Sequence, residues 1–515
     1  MYKYIVLISL TFVFTSCGED NKKKKKETTI GKPVNTDLSM QDKAISFISN
    51  QEGAVMYGSI KLNQLLNKAY YDSDLSNSEL LGSAVAEDAI EEIERIKSYV
   101  NTGVPLYYVV SSRNIDDMEL IVFGGINDSK AIIKEIKSNK QSLAIEDYKD
   151  FTLLHESEVA MALTKDQFIL TLSNQQERNL ERKFKDYFKS FSGKADPTIK
   201  TVFNKSKDVT IAYDYGKIID FYEKVIPSLI GENMEYLSAV DWIKDIDIIT
   251  SINLAFEKGA ISIATDVYSE EMKKWNLFGK SSKEILPKLG PGSPFAGFLA
   301  NINVDEIQKL WNDYYPDGIV NAIMDMNLGP EIEDQIPPEL AAMEATLMKD
   351  GLQSFFGGEI GMMFYNIPSK ASEIIPEMSI FMSIGSNLKA LIDENGIPDK
   401  GELNIDIQDS HISVSSKNHA PDGKGPELSS KFSNFGKAPI SGFVDLNQIP
   451  TNDLPKELNE FRSLIEMLDF IEMNMDMSGG YVTLHFKDKS KNALTQIADA
   501  VMELGLSLAT KGLFQ

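Results

Sequence analysis

The sequence has very little cysteine, because Cys17 is the only one among its 515 residues. A chain with a single thiol forms no internal disulfide, so its fold depends on core packing alone. Histidine is also scarce, and none of the four histidines has the spacing of a zinc-ligand pair. No apolar run reaches the roughly 20 residues of a membrane-spanning helix. We therefore expect no cofactor and read the histidines as structural.

Basic residues are also under-represented. Lysine and arginine total 52 against 76 aspartates and glutamates, which gives a net charge of −24. An acidic surface repels phosphate backbones, so we expect no nucleic-acid partner. The one dense basic stretch is Lys22–Lys26. Like charges in such a run repel one another and stay solvated, so residues 17–40 are predicted to form a disordered, lysine-rich tether.

The first residues have the composition of a signal peptide. Lys3 precedes an apolar run, Ile5–Phe14, which is too short to span a bilayer and has the length of a signal-peptide core. The segment Phe14–Cys17 resembles a lipobox, in which cleavage leaves the cysteine first and acylated. The resemblance implies a signal peptide over residues 1–16, lipidation at Cys17, and a membrane anchor in the cell envelope, on the outer membrane. Whether the body faces the periplasm or the surface stays open.

Four segments of alternating apolar and polar residues predict tight hairpins. Alternation of this kind indicates antiparallel strands that bury one face of a sheet. The four hairpins are Val159–Leu172, Ile252–Ala264, Leu403–Val414 and Ile471–Phe486, with turns at 165–166, 258–259, 409–410 and near 478–480. Helical spacing follows several strands, at Asp128–Lys137, Asn387–Asp393 and Ser490–Leu504.

Internal similarity suggests a repeated plan. Four segments begin as a strand, take a polar step and continue with helical spacing; they start at Val55, Val209, Phe298 and Gly442. We interpret them as marks of duplication and predict an α+β fold of repeated units, each an antiparallel sheet with helices packed on one face. The predicted units are residues 41–196, 207–285, 294–416 and 438–515.

Three stretches of the body resemble a known group of proteins. They are Val55–Leu62, Phe355–Ile360 and Leu484–Asn492. Together with the lipobox, they resemble uncharacterised lipoproteins of Bacteroidota, about 500 residues long, that share a domain of unknown function. The resemblance implies a similar fold over nearly the whole body. It implies no activity, so no functional residues are transferred from it.

One acidic segment approaches a calcium-binding loop. Alignment of Gly396 with the turn glycine of such a loop puts Asp393, Asn395, Asp399 and Glu402 at ligand positions. The first ligand position falls on Leu391, which cannot coordinate a cation. An acidic turn is therefore the favoured interpretation, and we predict no metal site.

No catalytic motif is present, since neither a Gly-x-Ser-x-Gly elbow nor a His-Glu-x-x-His helix occurs. The leading hypothesis is a membrane-anchored envelope lipoprotein that binds or scaffolds a protein or polysaccharide partner without catalysis. One alternative is a hydrolase of envelope or extracellular polymers, and another is a carrier that holds a small ligand between units. A cleft with carboxylates of raised pKa would favour the hydrolase.

Overall fold

The computed structural model describes most of the body of the chain, in eleven stretches. These are residues 37–70, 95, 97–112, 118–139, 143–173, 179–220, 246–314, 345–366, 377–396, 403–448 and 462–500. They fall into two compact units that divide between Ala212 and Tyr213. The predicted signal peptide, Cys17 and most of the tether lie outside the described residues. Within these stretches, no helix is long and apolar enough to cross a membrane.

The first unit combines α-helices with an antiparallel sheet. The helices whose bounds are described are α1 (Asp37–Ser49), α2 (Leu62–Tyr70), α3 (Ser129–Asn139), α4 (Leu180–Ser190) and α5 (Pro197–Asn204). Its strands are β1 (Ala54–Ile60), β2 (Leu106–Ser112), β3 (Met118–Gly125), β4 (Ala144–Asp147), β5 (Thr152–Glu156), β6 (Val159–Leu163), β7 (Gln167–Ser173) and β8 (Val209–Asp214), which runs across the division.

The described residues of the second unit form ten strands, together with α-helices and 3₁₀ turns. Its strands are β9 (Ile249–Glu257), β10 (Ala260–Tyr268), β11 (Ala296–Asn301), β12 (Phe356–Phe364), β13 (Met378–Ile384), β14 (Leu403–Ile407), β15 (His411–Ser416), β16 (Ile440–Asp445), β17 (Leu468–Asp476) and β18 (Gly479–Phe486). The α-helices whose bounds are described are α6 (Val304–Tyr314), α7 (Ser386–Asn395) and α8 (Arg462–Glu466). Its 3₁₀ turns include Lys283–Lys288, Lys417–His419 and Ser430–Phe432.

All four predicted hairpins are confirmed. They are the antiparallel pairs β6–β7, β9–β10, β14–β15 and β17–β18. The turn between β9 and β10 needs Gly259, whose φ of +64° lies in the left-handed region. A side chain there would also meet the Lys489 backbone at 2.7 Å. Alternation and turn residues are local signals, which is why the sequence alone located these pairs.

Six strands of each unit pair in the same order. The first module is the run β8–β1–β2–β3–β7–β6 in the first unit. The second module is the run β16–β11–β12–β13–β15–β14 in the second unit. In both, the neighbours follow the chain order 6–1–2–3–5–4. A helix follows the first strand and another follows the third, namely α2 and α3 in one module and α6 and α7 in the other.

The four segments with the shared strand-to-helix plan occupy two positions in these modules. Two of them start within β1 and β11, which are the first strands of the modules. The other two start within β8 and β16, which are the last strands. First and last strands pair with each other, as β1–β8 and β11–β16. The shared strand-to-helix pattern therefore occurs on two neighbouring strands in each module.

Helices of the first unit pack on both faces of its sheet. On one face, Phe47 of α1 lies 4.8 Å from the Phe123 ring, and Phe203 of α5 lies 5.5 Å from the Tyr107 ring. On the other face, Ile132 of α3 packs in a cluster that includes Val122. Val122 and Phe123 are consecutive strand residues and point to opposite faces. The α+β class with antiparallel sheets is confirmed, but the expectation of helices on one face alone is not.

The second module has one apolar face and one mixed face. Along β13, Met378, Ile380 and Met382 alternate with Ser379, Phe381 and Ser383. In the described residues, irregular segments and 3₁₀ turns cover the mixed face. Their apolar side chains join Met363 and Phe443 in one buried cluster, to which the covering segments contribute Ile285, Leu289, Phe432 and Phe435.

Candidate functional site

A cavity of about 650 Å³ opens on the mixed face of the second module. Its floor is formed by β12, β13, β15 and β14, which lie side by side. Its wall includes Lys288 from a 3₁₀ turn and the residues Ala420 and Pro421. Ligand sites in proteins commonly occupy clefts of roughly 300–1,000 Å³. The size of this cavity is therefore suited to a small molecule or to one or two units of a polymer.

Strand register brings the polar residues of the floor together. Ser413 on β15 pairs with Phe381 on one side and with Asp406 on the other. The neighbouring row is made in the same way, because Ser415 pairs with Ser379 and with Asn404. Since residues two apart on a strand share a face, both rows point the same way. The floor is thus a grid of small polar side chains around one buried phenylalanine.

An ion pair closes one side of the cavity. The Lys288 ammonium pairs with the Glu359 carboxylate and lies 4.8 Å from the centre of the Phe381 ring. The Glu359 backbone N–H donates a 2.8 Å hydrogen bond to the Ser383 hydroxyl. Lys288 is therefore held by a carboxylate and an aromatic face together. Its charge is already compensated before any ligand arrives.

A clasp around His419 holds the wall in place. The imidazole stacks on the Tyr365 ring at 3.8 Å, and its Nδ1 donates to the Pro291 carbonyl at 2.8 Å. The Tyr365 hydroxyl donates to the Gly290 carbonyl at 2.5 Å. Burial raises the pKa of the Tyr365 phenol, so it remains a donor. The Nε2 atom of His419 lies 3.3 Å from the Glu377 carboxylate. The clasp fixes the chain immediately before Ala420 and Pro421.

Several polar groups in the cavity are left for a ligand. Ser413 is 6 % exposed and Ser415 is 2 % exposed, yet within the described stretches neither hydroxyl makes a hydrogen bond. The His411 Nδ1 atom lies 3.3 Å from the Ser410 hydroxyl, whereas its Nε2 has no partner among the described residues. Both residues line the cavity, so their hydroxyls open onto the cavity space. A polar group without a protein partner pairs with water or with ligand atoms, and these two hydroxyls are available for either.

Hydrogen bonds and neighbouring charges lower the pKa of several described carboxylates. They are Glu146, Glu270, Asp469 and Asp488. At Asp469 burial would raise the pKa, but the hydrogen bond and charge of Lys489, together with Lys431, outweigh it. None of the four lines the cavity.

The residues singled out from the sequence lie elsewhere. Asp393 is near the end of α7, where its carboxylate pairs with Lys389. Asp399 and Glu402 lie outside the described residues, as does the side chain of Asn395. No cluster of three or more metal-ligating side chains occurs in the described part of the chain. The calcium-loop interpretation therefore gains no support from Asp393, and lipidation at Cys17 stays a prediction.

The four histidines take different roles. His155 lies 3.3 Å from Glu146, and His485 lies 3.3 Å from Glu472 while it stacks on Phe470 at 4.0 Å. His419 holds the clasp. His411 lines the cavity, which its sequence context alone did not indicate.

Sequence reasoning missed the serines of the cavity floor. Alternation in Leu403–Ile407 and His411–Ser416 predicted strands with one wet face. The type of polar residue could have revealed the covered face, because a fully solvated strand face usually carries long charged side chains. Serine at positions 379, 383, 413 and 415 instead indicates a polar face covered at close range.

Comparison with known proteins adds little. No family model matches the chain, and no curated protein matches it. Among solved structures, crystal form IV of TP0453 aligns over 43 % of this chain and 79 % of its own length, with 11 % identity and a TM-score of 0.26. Crystal form III aligns over 72 % and 92 %, with 7 % identity and a TM-score of 0.21. Similarity at this level supports no conclusion about fold or function.

Proposed function

We propose that this protein is a lipid-anchored protein of the bacterial cell envelope that binds a ligand without transforming it. The observation that carries the proposal is the cavity of the second module, onto which the hydroxyls of the largely buried residues Ser413 and Ser415 open without a hydrogen bond from the described stretches. The anchor is the predicted lipid on Cys17, and the lipobox resemblance of Phe14–Cys17 supports it.

Two features favour binding over hydrolysis. Glu359, a carboxylate of the cavity, is paired with Lys288, whereas a general acid at neutral pH needs a protonated carboxyl group. The single histidine of the cavity, His411, has no carboxylate bonded to its ring within the described residues, so no triad is assembled around it. The cavity offers hydrogen bonds and shape, which are the requirements of a binding site.

The repeated architecture fits this proposal. The matched 6–1–2–3–5–4 strand order supports a duplicated module, of which one copy gives a filled scaffold and the other a cavity. After duplication, two copies can diverge because the first continues to provide stability. The resemblance to Bacteroidota lipoproteins of unknown function remains a proposal beside it.

Native mass spectrometry tests the binding function. The mature chain would be purified from envelope fractions under mild conditions, and bound small molecules would be identified after release. We expect a bound species on the wild-type protein that is absent from Ser413→Ile, which blocks the cavity floor. Ser262→Ala, a half-buried strand serine outside the cavity, is the matched control. An identical set of bound species on all three proteins would rule out the cavity as the binding site.

Anchoring has a separate test. We expect labelled palmitate to be incorporated into the wild-type chain and not into Cys17→Ala. Fractionation should find the wild-type protein with membranes and the variant in the soluble envelope fraction. Equal labelling of both proteins would contradict lipidation at Cys17.

A further inference from the structure

We infer that the cavity of the second module binds a neutral, hydroxyl-rich ligand, which is the chemistry of a carbohydrate. The inference rests on the proposed binding function and adds the ligand class. Three properties of the cavity support this ligand class: its hydrogen-bonding groups, its charge and its apolar surface.

The free groups of the cavity both donate and accept hydrogen bonds. The hydroxyls of Ser413 and Ser415 each offer one proton and two lone pairs. Asn404 contributes an amide, and the Asp406 carboxylate accepts, although it already receives hydrogen bonds of 2.9 and 3.1 Å from Gln408. Sugar hydroxyls need this combination because each is at once a donor and an acceptor. A ligand with only donors or only acceptors could pair with only part of these groups and would bind more weakly.

The charge of the cavity disfavours anions. Lys288 is the only lysine or arginine among the described lining residues, and Glu359 already neutralises it. Asp406 adds a negative charge on the opposite side of the floor. A phosphate or carboxylate ligand would therefore enter a site with one compensated cation and one carboxylate, on a chain of net charge −24. Electrostatic repulsion would weaken such binding, while a neutral ligand is unaffected.

The cavity also offers carbon surface for the C–H faces of a sugar ring. The rings of Phe381 and His411 lie 5.3 Å apart and tilted by 35°. Ile384, Ala420 and Pro421 add aliphatic surface at the edge. Binding sites commonly combine a largely apolar lining with a few placed polar groups that fix the orientation of the ligand. Here the two serine hydroxyls lie beside the aromatic pair, where they can orient a ring that packs on it.

The experiment uses the full mature chain and two formats. A glycan array carrying neutral, uronic-acid and phosphorylated glycans tests ligands attached at one end, as in a polymer. Isothermal titration calorimetry with the free reducing sugars of the array hits, and with glucose 6-phosphate and spermidine as charged probes, tests free small molecules. We expect binding to neutral glycans and at least tenfold weaker binding to the charged probes.

Variants tie the signal to the cavity. The double variant Ser413→Ala, Ser415→Ala should weaken neutral-glycan binding at least tenfold, because it removes both free hydroxyls while it leaves the strands intact. Ser262→Ala should leave the affinity unchanged. Calorimetric unfolding of each variant checks that its melting temperature is preserved, and Ser415→Thr, which keeps a hydroxyl, should bind within about threefold of the wild type.

Each outcome has a defined meaning. Neutral-glycan binding that depends on the serines supports the inference, and array binding without binding of free sugars identifies the polymer as the source. Serine-dependent binding of only acidic glycans or spermidine would overturn the carbohydrate inference and leave the binding function standing. If no probe binds and native mass spectrometry finds no cavity-dependent species, both proposals fail.

Discussion

The two modules share a strand order and differ in what lies on the equivalent face. In the first, rings from three helical segments fill the space above the sheet, with Phe47, Phe191 and Phe203 packed on Phe123 and Tyr107. In the second, short 3₁₀ turns cover the sheet, and a cavity remains over β13, β14 and β15. The covering segments, rather than the sheet, thus decide whether the module is filled or leaves a cavity.

The fifth strand of each module carries a different residue at the same position. Ile169 in the first module pairs with Phe123 and Ala162, and Ser413 in the second pairs with Phe381 and Asp406. Ile169 is completely buried, whereas Ser413 faces the cavity. The same position in the strand order therefore carries a core residue in the first module and a residue of the polar cavity floor in the second.

The largest expected effect comes from Ile169→Ser, which gives the first module the residue of the second. The change removes buried methyl groups from a packed core and buries a hydroxyl there. We expect a loss of about 3–5 kcal/mol in the stability of the first unit, in the range of large-to-small core substitutions. Urea denaturation would measure it, with Ile169→Val as the control at about 1 kcal/mol. A loss below about 1 kcal/mol for the serine variant would contradict the view of a tightly filled first module.

His419→Ala should have the next largest effect, in the second unit only. It removes the ring stacked on Tyr365 and the hydrogen bond to Pro291. Losses of this kind amount to about 1–3 kcal/mol. Hydrogen exchange should show faster opening at residues 417–421, and no change in the first unit. Tyr365→Phe, which removes only the hydroxyl bonded to Gly290, should cost less; an equal cost would mean that the ring stack contributes little.

Asp469 should make the stability of the second unit depend on pH. Its pKa is lowered below its ordinary value of 3.8 in the folded protein, because Lys489 and Lys431 outweigh the effect of burial. A lowered folded pKa gives stability that is present above the unfolded value and lost as pH falls through the folded value. Asp469→Asn should therefore lower the melting temperature at pH 7 and approach the wild type below about pH 4. A constant difference across that range would assign the effect to packing instead.

The smallest expected effect on stability is that of Ser413→Ile, the reverse exchange. The cavity accepts the larger side chain, so we expect a change below about 1 kcal/mol, in contrast to overpacking of a filled core. Ligand binding should be lost at the same time. A cost as large as that of Ile169→Ser would show that the floor of the second module is as tightly packed as the first.

Local patterns in the sequence determined the antiparallel hairpins, the helices after β3 and β13, and the similarity of the segments that begin β1, β8, β11 and β16. Alternation, helical spacing and turn residues act over a few neighbouring residues, so one sequence is enough to find them. The predicted strands at Leu403–Ile407 and His411–Ser416 are confirmed for this reason.

Tertiary structure alone decided which strands are neighbours and what covers each face. The pairing of β3 with β7 and of β13 with β15 joins segments separated by other elements, and no local pattern encodes that choice. The cavity depends on it, because Phe381, Ser413 and Asp406 come from three strands and meet only through register. The clasp of His419 on Tyr365 likewise joins residues far apart in the chain. A sequence lists such side chains, but long-range packing decides which of them share a site.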